Sequence, residues 1–196
     1  MVKKITIGVL ALQGDFLEHL IILRKLGVTA KEIRLPQDLE NIDGIILPGG
    51  ESTTMINLLE VFELKNPLIQ KIKKGLPVWG TCAGMILLAK KLTQTNPVPL
   101  GLMDITVNRN AYGRQIDSFT TPLTIKPLGK KVLNATFIRA PILEKVGKGV
   151  EVLSIYDKKI VAAKEKNMLV TSFHPELTTD TRFHEYFITL IKSTKK

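Results

Sequence analysis

Cysteine is almost missing from this chain: its 196 residues contain one, Cys82. One thiol closes no internal disulfide, and with three scattered histidines it cannot complete a four-ligand Cys/His zinc site. Neither a cross-linked secreted scaffold nor a zinc module is expected, and no metal or cofactor is called for. Long apolar runs are missing too. The stretch from Ile5 to Leu12, behind Lys3-Lys4, imitates a signal peptide but stops at Gln13-Gly14-Asp15 without a small-x-small cleavage site. No uninterrupted run approaches the roughly 18 apolar residues of a membrane span. The expectation is a soluble, unprocessed cytoplasmic protein with no membrane partner.

Positive charge is abundant: 28 Lys+Arg against 18 Asp+Glu leave a net +10. The basic residues lie in small groups along the whole chain, from Lys3-Lys4 through Lys71/Lys73/Lys74 and Lys130-Lys131 to Lys195-Lys196. A nucleic-acid reader concentrates such residues on one element and interleaves aromatics for stacking, and neither pattern occurs. Solvated helix faces and turns account for them, so no nucleic-acid partner is expected. With 44% apolar residues and no repeat, linker or low-complexity segment, residues 1–196 read as one domain.

Hydrophobic periodicity sketches an α/β architecture. Ile5 to Leu12 is a continuous strand-forming run of the kind buried on both faces, followed at helical spacing by Phe16, Leu17, Leu20, Ile21, Leu23 and Leu26 up to Gly27. Ala30 to Leu35 and Gly44 to Leu47 are further strands, stopped by Pro36 and by Pro48-Gly49-Gly50. Ser52 is expected to open the next helix, another helix spans about Asn66 to Lys74, and Pro77-Val78-Trp79 leads through Gly80-Thr81-Cys82-Ala83-Gly84 into a helix from Met85 to Lys91. After Pro97 the texture turns to strands: Leu102 to Val107, Leu123 to Lys126, Phe137-Ile138, Val150 to Ile155, Ile160 to Ala163 and Met168 to Phe173. Arg182 to Ile191 is a closing helix. The fold class expected is a three-layer, flavodoxin-like, mostly parallel sheet with helices on both faces and an antiparallel extension.

Three loops at strand ends carry chemistry. Cys82 lies between a buried strand and a helix, with glycines two residues away on either side, which is the pattern of a nucleophile elbow. A lone cysteine more often acts as a small buried hydrophobe; here the surrounding turn favours the nucleophile. His174, at the end of the run Met168 to Phe173, is the candidate base, with Glu176 placed by a strand's period of two to orient it. His19 and His184 fall inside helices and read as surface or packing residues. Gly49-Gly50, after another strand, exposes backbone N–H groups that can face an oxyanion beside the N–H of Ala83. Arg109 and Arg139, each at a strand end, can clamp a carboxylate or simply sit solvated. All three loops converge on the carboxyl edge of a parallel sheet.

Taken in order, Gly14 with Glu18-His19, Leu47-Pro-Gly-Gly-Glu-Ser-Thr-Thr54, Gly80-Thr-Cys-Ala-Gly84, Arg109-Asn-Ala-Tyr-Gly-Arg-Gln115 with Asp117-Ser118-Phe119, Phe137-Ile-Arg-Ala-Pro141 and Ser172-Phe-His-Pro-Glu-Leu177 resemble the glutaminase-subunit family of pyridoxal 5′-phosphate synthase. Most class I glutamine amidotransferases place a glutamine four residues after the cysteine; this chain has Ile86, as that branch does. The resemblance implies hydrolysis of L-glutamine by a Cys82–His174–Glu176 triad, with no cofactor. It further implies an oxyanion hole at Gly50 and Ala83, and a glutamine site lined by Gly49, Gly50, Glu51, Ser52, Arg109, Ile138 and Arg139. It also implies a partner, a (β/α)8-barrel synthase subunit that receives the ammonia, and activation on docking through a movable segment near Leu12-Gln13-Gly14. Three alternatives remain open at this level: a glutaminase of another pathway, a redox-sensing or regulatory module with Cys82 as its sensor, and a basic nucleic-acid binder.

Overall fold

The computed structural model describes residues 4–109 and 118–194. Asn110 to Gln115 and Asp117 of the fourth motif lie outside the described residues. The first half alternates strand and helix: β1 (Thr6–Leu10), α1 (Phe16–Lys25), β2 (Thr29–Ile33), β3 (Gly44–Leu47), α2 (Ser52–Val61), α3 (Lys65–Lys73), β4 (Val78–Thr81) and α4 (Ala83–Leu88). The second half is almost all strand: β5 (Ala89–Leu92), β6 (Met103–Asn108), β7 (Ser118–Leu123), β8 (Leu133–Ile138), β9 (Ile142–Val146), β10 (Glu151–Tyr156), β11 (Lys159–Glu165) and β12 (Met168–Thr171), closed by α5 (Arg182–Ser193).

Among the described residues these strands make a ten-stranded sheet in the order β2-β1-β3-β4-β12-β11-β9-β6-β5, with β10 paired to β11, and a separate β7-β8 hairpin. The pairs from β2 to β12 are parallel, and those joining β12, β11, β9 and β6 are antiparallel. This is the expected parallel sheet with an antiparallel extension. The central strands are short and fully buried because both of their faces are covered. Ile45, Leu47, Val78 and Val170 enter one apolar cluster with α2, α3 and α4. Their chain neighbours Ile46, Trp79 and Leu169 enter the other, with α1 and α5. The strand period of two thus assigns alternate residues to opposite layers.

Three expectations need correction. The helix expected to run to Lys91 ends at Leu88, and Ala89–Leu92 is an edge strand parallel to β6. The reason is non-local: the N–H groups of Leu100, Gly101 and Leu102 take the carbonyls of Leu87, Ala89 and Leu88, which a further helical turn would have used. The strand expected at Leu123 to Lys126 lies earlier, at Ser118–Leu123, and the chain then tightens into a 3-10 turn at Lys126–Leu128, whose Pro127 offers no N–H to a ladder. Finally, Ile142–Val146 is an unanticipated strand, antiparallel to β6.

Parallel pairing of Leu47 with Gly80 and of Thr81 with Thr171 brings the ends of β3, β4 and β12 level. The three chemical loops therefore open on one edge of the sheet, with the β1–α1 turn beside them.

Candidate active site

Cys82 leaves β4 in a conformation that L residues avoid, with φ 47 and ψ −102. Holding a non-glycine residue there costs about 1–3 kcal/mol and persists only where the surroundings enforce it. They do so from three sides. The Cys82 N–H donates to the Thr171 carbonyl at 2.8 Å, and its carbonyl accepts from Met85 N–H at 3.1 Å and Ile86 N–H at 3.3 Å. The flanking glycines allow the tight packing: a β-carbon at Gly84 would collide with the Leu47 carbonyl, and one at Gly80 with the backbone of Gly84. The thiol points toward the Ile138 carbonyl, with 3.9 Å between Sγ and O.

His174 is fixed by its own N–H, which donates to Thr136 at 2.8 Å. Its Nδ1 lies 2.8 Å from Glu176 Oε1, as the sequence suggested. The route differs: Pro175–Leu177 is a 3-10 turn, not an extended segment. Leu177 N–H returns to the His174 carbonyl at 3.3 Å, so the carboxylate reaches the ring by curling back. A second carboxylate, Asp15, sits 3.4 Å from the same Nδ1. Sequence reasoning did not single it out, although its place directly after β1, on the carboxyl edge, was a usable signal. Burial by itself would lower the His174 pKa; hydrogen bonding to Asp15, Cys82 and Glu176 outweighs it and the ring is pushed up to about 12. Burial pushes the Glu176 carboxyl up, with His174 opposing. The arrangement holds a proton on His174 next to the thiol.

Asp15, His174 and Glu176 bring polar atoms within 4.8 Å of one another. Both carboxylates face the same ring nitrogen, His174 Nδ1, Glu176 at 2.8 Å and Asp15 at 3.4 Å.

The Gly49-Gly50 loop completes the edge. A β-carbon at Gly49 would collide with the His174 ring, so glycine here is a requirement of close approach. The preceding turn grips this loop at both ends: Asp15 N–H donates to the Gly49 carbonyl at 3.0 Å, and Gln13 Oε1 accepts from Glu51 N–H at 2.8 Å. Gly14 (φ 93) lies directly against the Gly49 carbonyl, where a side chain would not fit. Glu51, not Ser52, caps α2. Its longer side chain accepts from Thr53 N–H at 3.1 Å and Thr54 N–H at 2.6 Å. Burial would raise the Glu51 carboxyl, but these N–H groups hold it below its ordinary value. Ser52 is the first helical residue instead; it is buried, and among the described residues its hydroxyl has no hydrogen-bond partner.

A cavity of ≈ 450 Å³ joins these parts, lined by Asp15, Gly50, Glu51, Ser52, Cys82, Ile86, Arg109, Ile138, Arg139 and His174. Most of the sequence candidates therefore meet in one place. Ala83, which follows the cysteine at the start of α4, is buried behind it. Arg109 reaches the cavity tied to Glu51 Oε1 at 3.2 Å and the Asn96 carbonyl at 2.7 Å, so it is already ordered by the protein. Arg139 carries a positive φ of 42 in the turn after β8.

An α/β sheet of this order, with a strained cysteine and a His–Glu pair on its carboxyl edge, defines a class: this is the fold of the class I glutamine amidotransferases. A crystal structure described as that of a glutamine amidotransferase superposes with a TM-score of 0.90 at 42% identity, covering 95% of this chain and 98% of its own. The chain belongs to the SNO glutamine amidotransferase family, which matches residues 9–193. A relative from Dehalococcoides mccartyi named pyridoxal 5′-phosphate synthase subunit PdxT is 55% identical over 192 residues, covering 96% of this chain and 98% of its own. Another of that name, from Thermosipho africanus, is 52% identical over 186 residues, covering 95% and 98%.

Proposed function

We propose that Cys82, His174 and Glu176 form a catalytic triad that hydrolyses L-glutamine to L-glutamate and ammonia, and that the chain is the glutaminase subunit of a pyridoxal 5′-phosphate synthase. The observation that carries this reading is the strained Cys82 lining one cavity with His174, whose Nδ1 lies 2.8 Å from Glu176 Oε1. With the thiol's proton transferred to His174, Cys82 Sγ attacks the side-chain carboxamide carbon as the thiolate, and the carbonyl oxygen becomes an oxyanion facing the N–H groups of Gly50 and Ala83. His174 gives its proton to the nitrogen, the C–N bond breaks, and ammonia leaves a thioester on Cys82. His174 then takes a proton from water, whose oxygen displaces the thiolate and releases glutamate. Glu176 keeps the imidazole oriented and stabilises its charge throughout.

The α-amino and α-carboxyl groups of glutamine are assigned to Glu51, Ser52, Arg109, Ile138 and Arg139. Two features support this: the orphaned Ser52 hydroxyl, a donor and acceptor waiting for a polar ligand, and the pre-ordered Arg109. The relatives' name supplies the partner, a synthase subunit, which the family resemblance makes a (β/α)8 barrel that consumes the ammonia. Delivery between docked sites is chemically sensible, because ammonia released into neutral water becomes ammonium and ceases to be a nucleophile. The double grip of Gln13-Gly14-Asp15 on the Gly49–Glu51 loop provides a handle by which docking can reset the oxyanion hole. The whole chain acts as one domain, in the cytoplasm.

The test is glutamate release by the wild-type chain and by Cys82→Ala, each with and without the synthase subunit. Wild type is expected to hydrolyse glutamine faster with the synthase present, and Cys82→Ala to release no measurable glutamate under either condition. Undiminished hydrolysis by Cys82→Ala would overturn the triad; equal rates with and without the synthase would overturn the coupling.

A further inference from the structure

The triad does not end at Glu176. Its Oε1 faces His174, while its Oε2 is buried and, among the described residues, has no hydrogen bond that meets ordinary geometry. Leaving half of a carboxylate dry and unpartnered is costly, so whatever polar group lies nearest matters. One such group is His19 Nε2, 3.5 Å away, on a fully buried ring from α1. The other ring nitrogen, Nδ1, lies 3.0 Å from His184 Nε2 on α5. Among the described residues, His184 Nδ1 has no hydrogen-bond partner.

These contacts select one set of tautomers. If His19 carries its proton on Nε2, it donates to Glu176 Oε2 and accepts at Nδ1 from the Nε2–H of His184. The atom then left alone is a bare acceptor nitrogen on His184, a smaller cost than an orphaned N–H. The reverse assignment would point a lone pair at a carboxylate. Thr81 Oγ1, 3.4 Å from the same His19 nitrogen, competes for the proton, but the charged oxygen is the stronger acceptor. Among the described residues, the polar and titratable groups facing His19 are His184 from α5, Thr81 from β4, and Glu176 and His174 from the segment after β12. Trp79 meets it edge-on, with centroids 5.4 Å apart. Burial, with His184 and His174 adding to it, holds the His19 pKa well below its ordinary value, so the ring is a neutral donor.

We propose that His19 is a positioning residue of the active site: its Nε2–H holds the second oxygen of Glu176 and keeps that carboxylate ionised and aimed at His174. A cation in this place would draw Glu176 away from His174; a neutral imidazole orients it without competing for its charge.

The kinetic part of this inference rests on the triad reading, whereas its spectroscopic part does not. In the full-length chain, nitrogen-15 imidazole spectra are expected to show neutral, Nε2-protonated His19 from pH 5 to 8. The carbon-13 resonance of the Glu176 carboxyl, assigned by difference with Glu176→Gln, is expected to titrate about one pH unit higher in His19→Leu, because the ionised form has lost a donor. His19→Gln, whose amide presents an N–H at similar reach, should restore it. In glutamate-release assays with the synthase subunit, the acidic limb of kcat/KM should move with the Glu176 titration while KM stays put. An Nδ1-protonated His19 would overturn the proposal. So would a Glu176 titration identical in wild type, His19→Leu and His19→Gln, folding of each variant being verified by its unfolding curve. If the Glu176 shift appears while Cys82→Ala still hydrolyses glutamine, the positioning contact stands and the triad reading falls.

Discussion

At the residue scale, the site depends as much on what is absent as on what reacts. Gly49 lets the His174 ring sit close against the backbone, so Gly49→Ala must displace the ring or the loop. Misplacing a reacting group by an ångström costs on the order of 100-fold in rate. Gly49→Ala is therefore expected to lower kcat for glutamine by roughly that factor with a smaller change in KM, read from steady-state kinetics in the presence of the synthase subunit. Cys82 and His174 were legible in the sequence because an elbow and a strand-end histidine have local signatures. Asp15 was not, since a single aspartate in a turn carries no pattern until another loop is folded against it. Glu176 was found for an incomplete reason: the expected period of two placed it near His174, but a 3-10 turn makes the contact.

At the element scale, α1 and α5 meet through two neutral, buried imidazoles, His19 and His184. Burial lowers the pKa of both, that of His184 to about 3. Below about pH 6.5 the unfolded chain protonates these rings while the folded chain does not, so their contribution to stability is complete above that pH and drains away as pH falls toward 3. The slope for one such histidine is about 1.4 kcal/mol per pH unit. Urea unfolding at successive pH values from 7 to 4.5 is expected to show this decline. His184→Gln keeps an N–H donor but does not titrate, and should flatten it by about one histidine's share. Helices with a buried stripe were readable element by element. The end of α4 was not, because the carbonyls that continue a helix are claimed there by Leu100 to Leu102, residues a dozen positions downstream.

At the scale of the whole molecule, one hydrogen-bonded sheet runs from β2 to β5 through both halves of the chain, with an apolar cluster on each face. Neither half buries its strands without the other. Thermal unfolding followed by circular dichroism and by Trp79 fluorescence is accordingly expected to give one coincident transition; two separated transitions would show that residues 1–196 are not a single domain. Length, apolar content and the alternation of strand and helix determined an α/β sheet with an antiparallel extension and a cysteine at its carboxyl edge. Periodicity and turn chemistry are local, and local information suffices for them. Only tertiary structure decided that Asp15 lies beside His174 Nδ1 and that His19 lies against the far oxygen of Glu176. Those relations join residues up to 159 positions apart, and they exist only once packing has made the sites dry enough for a single proton or an unpaired oxygen to matter.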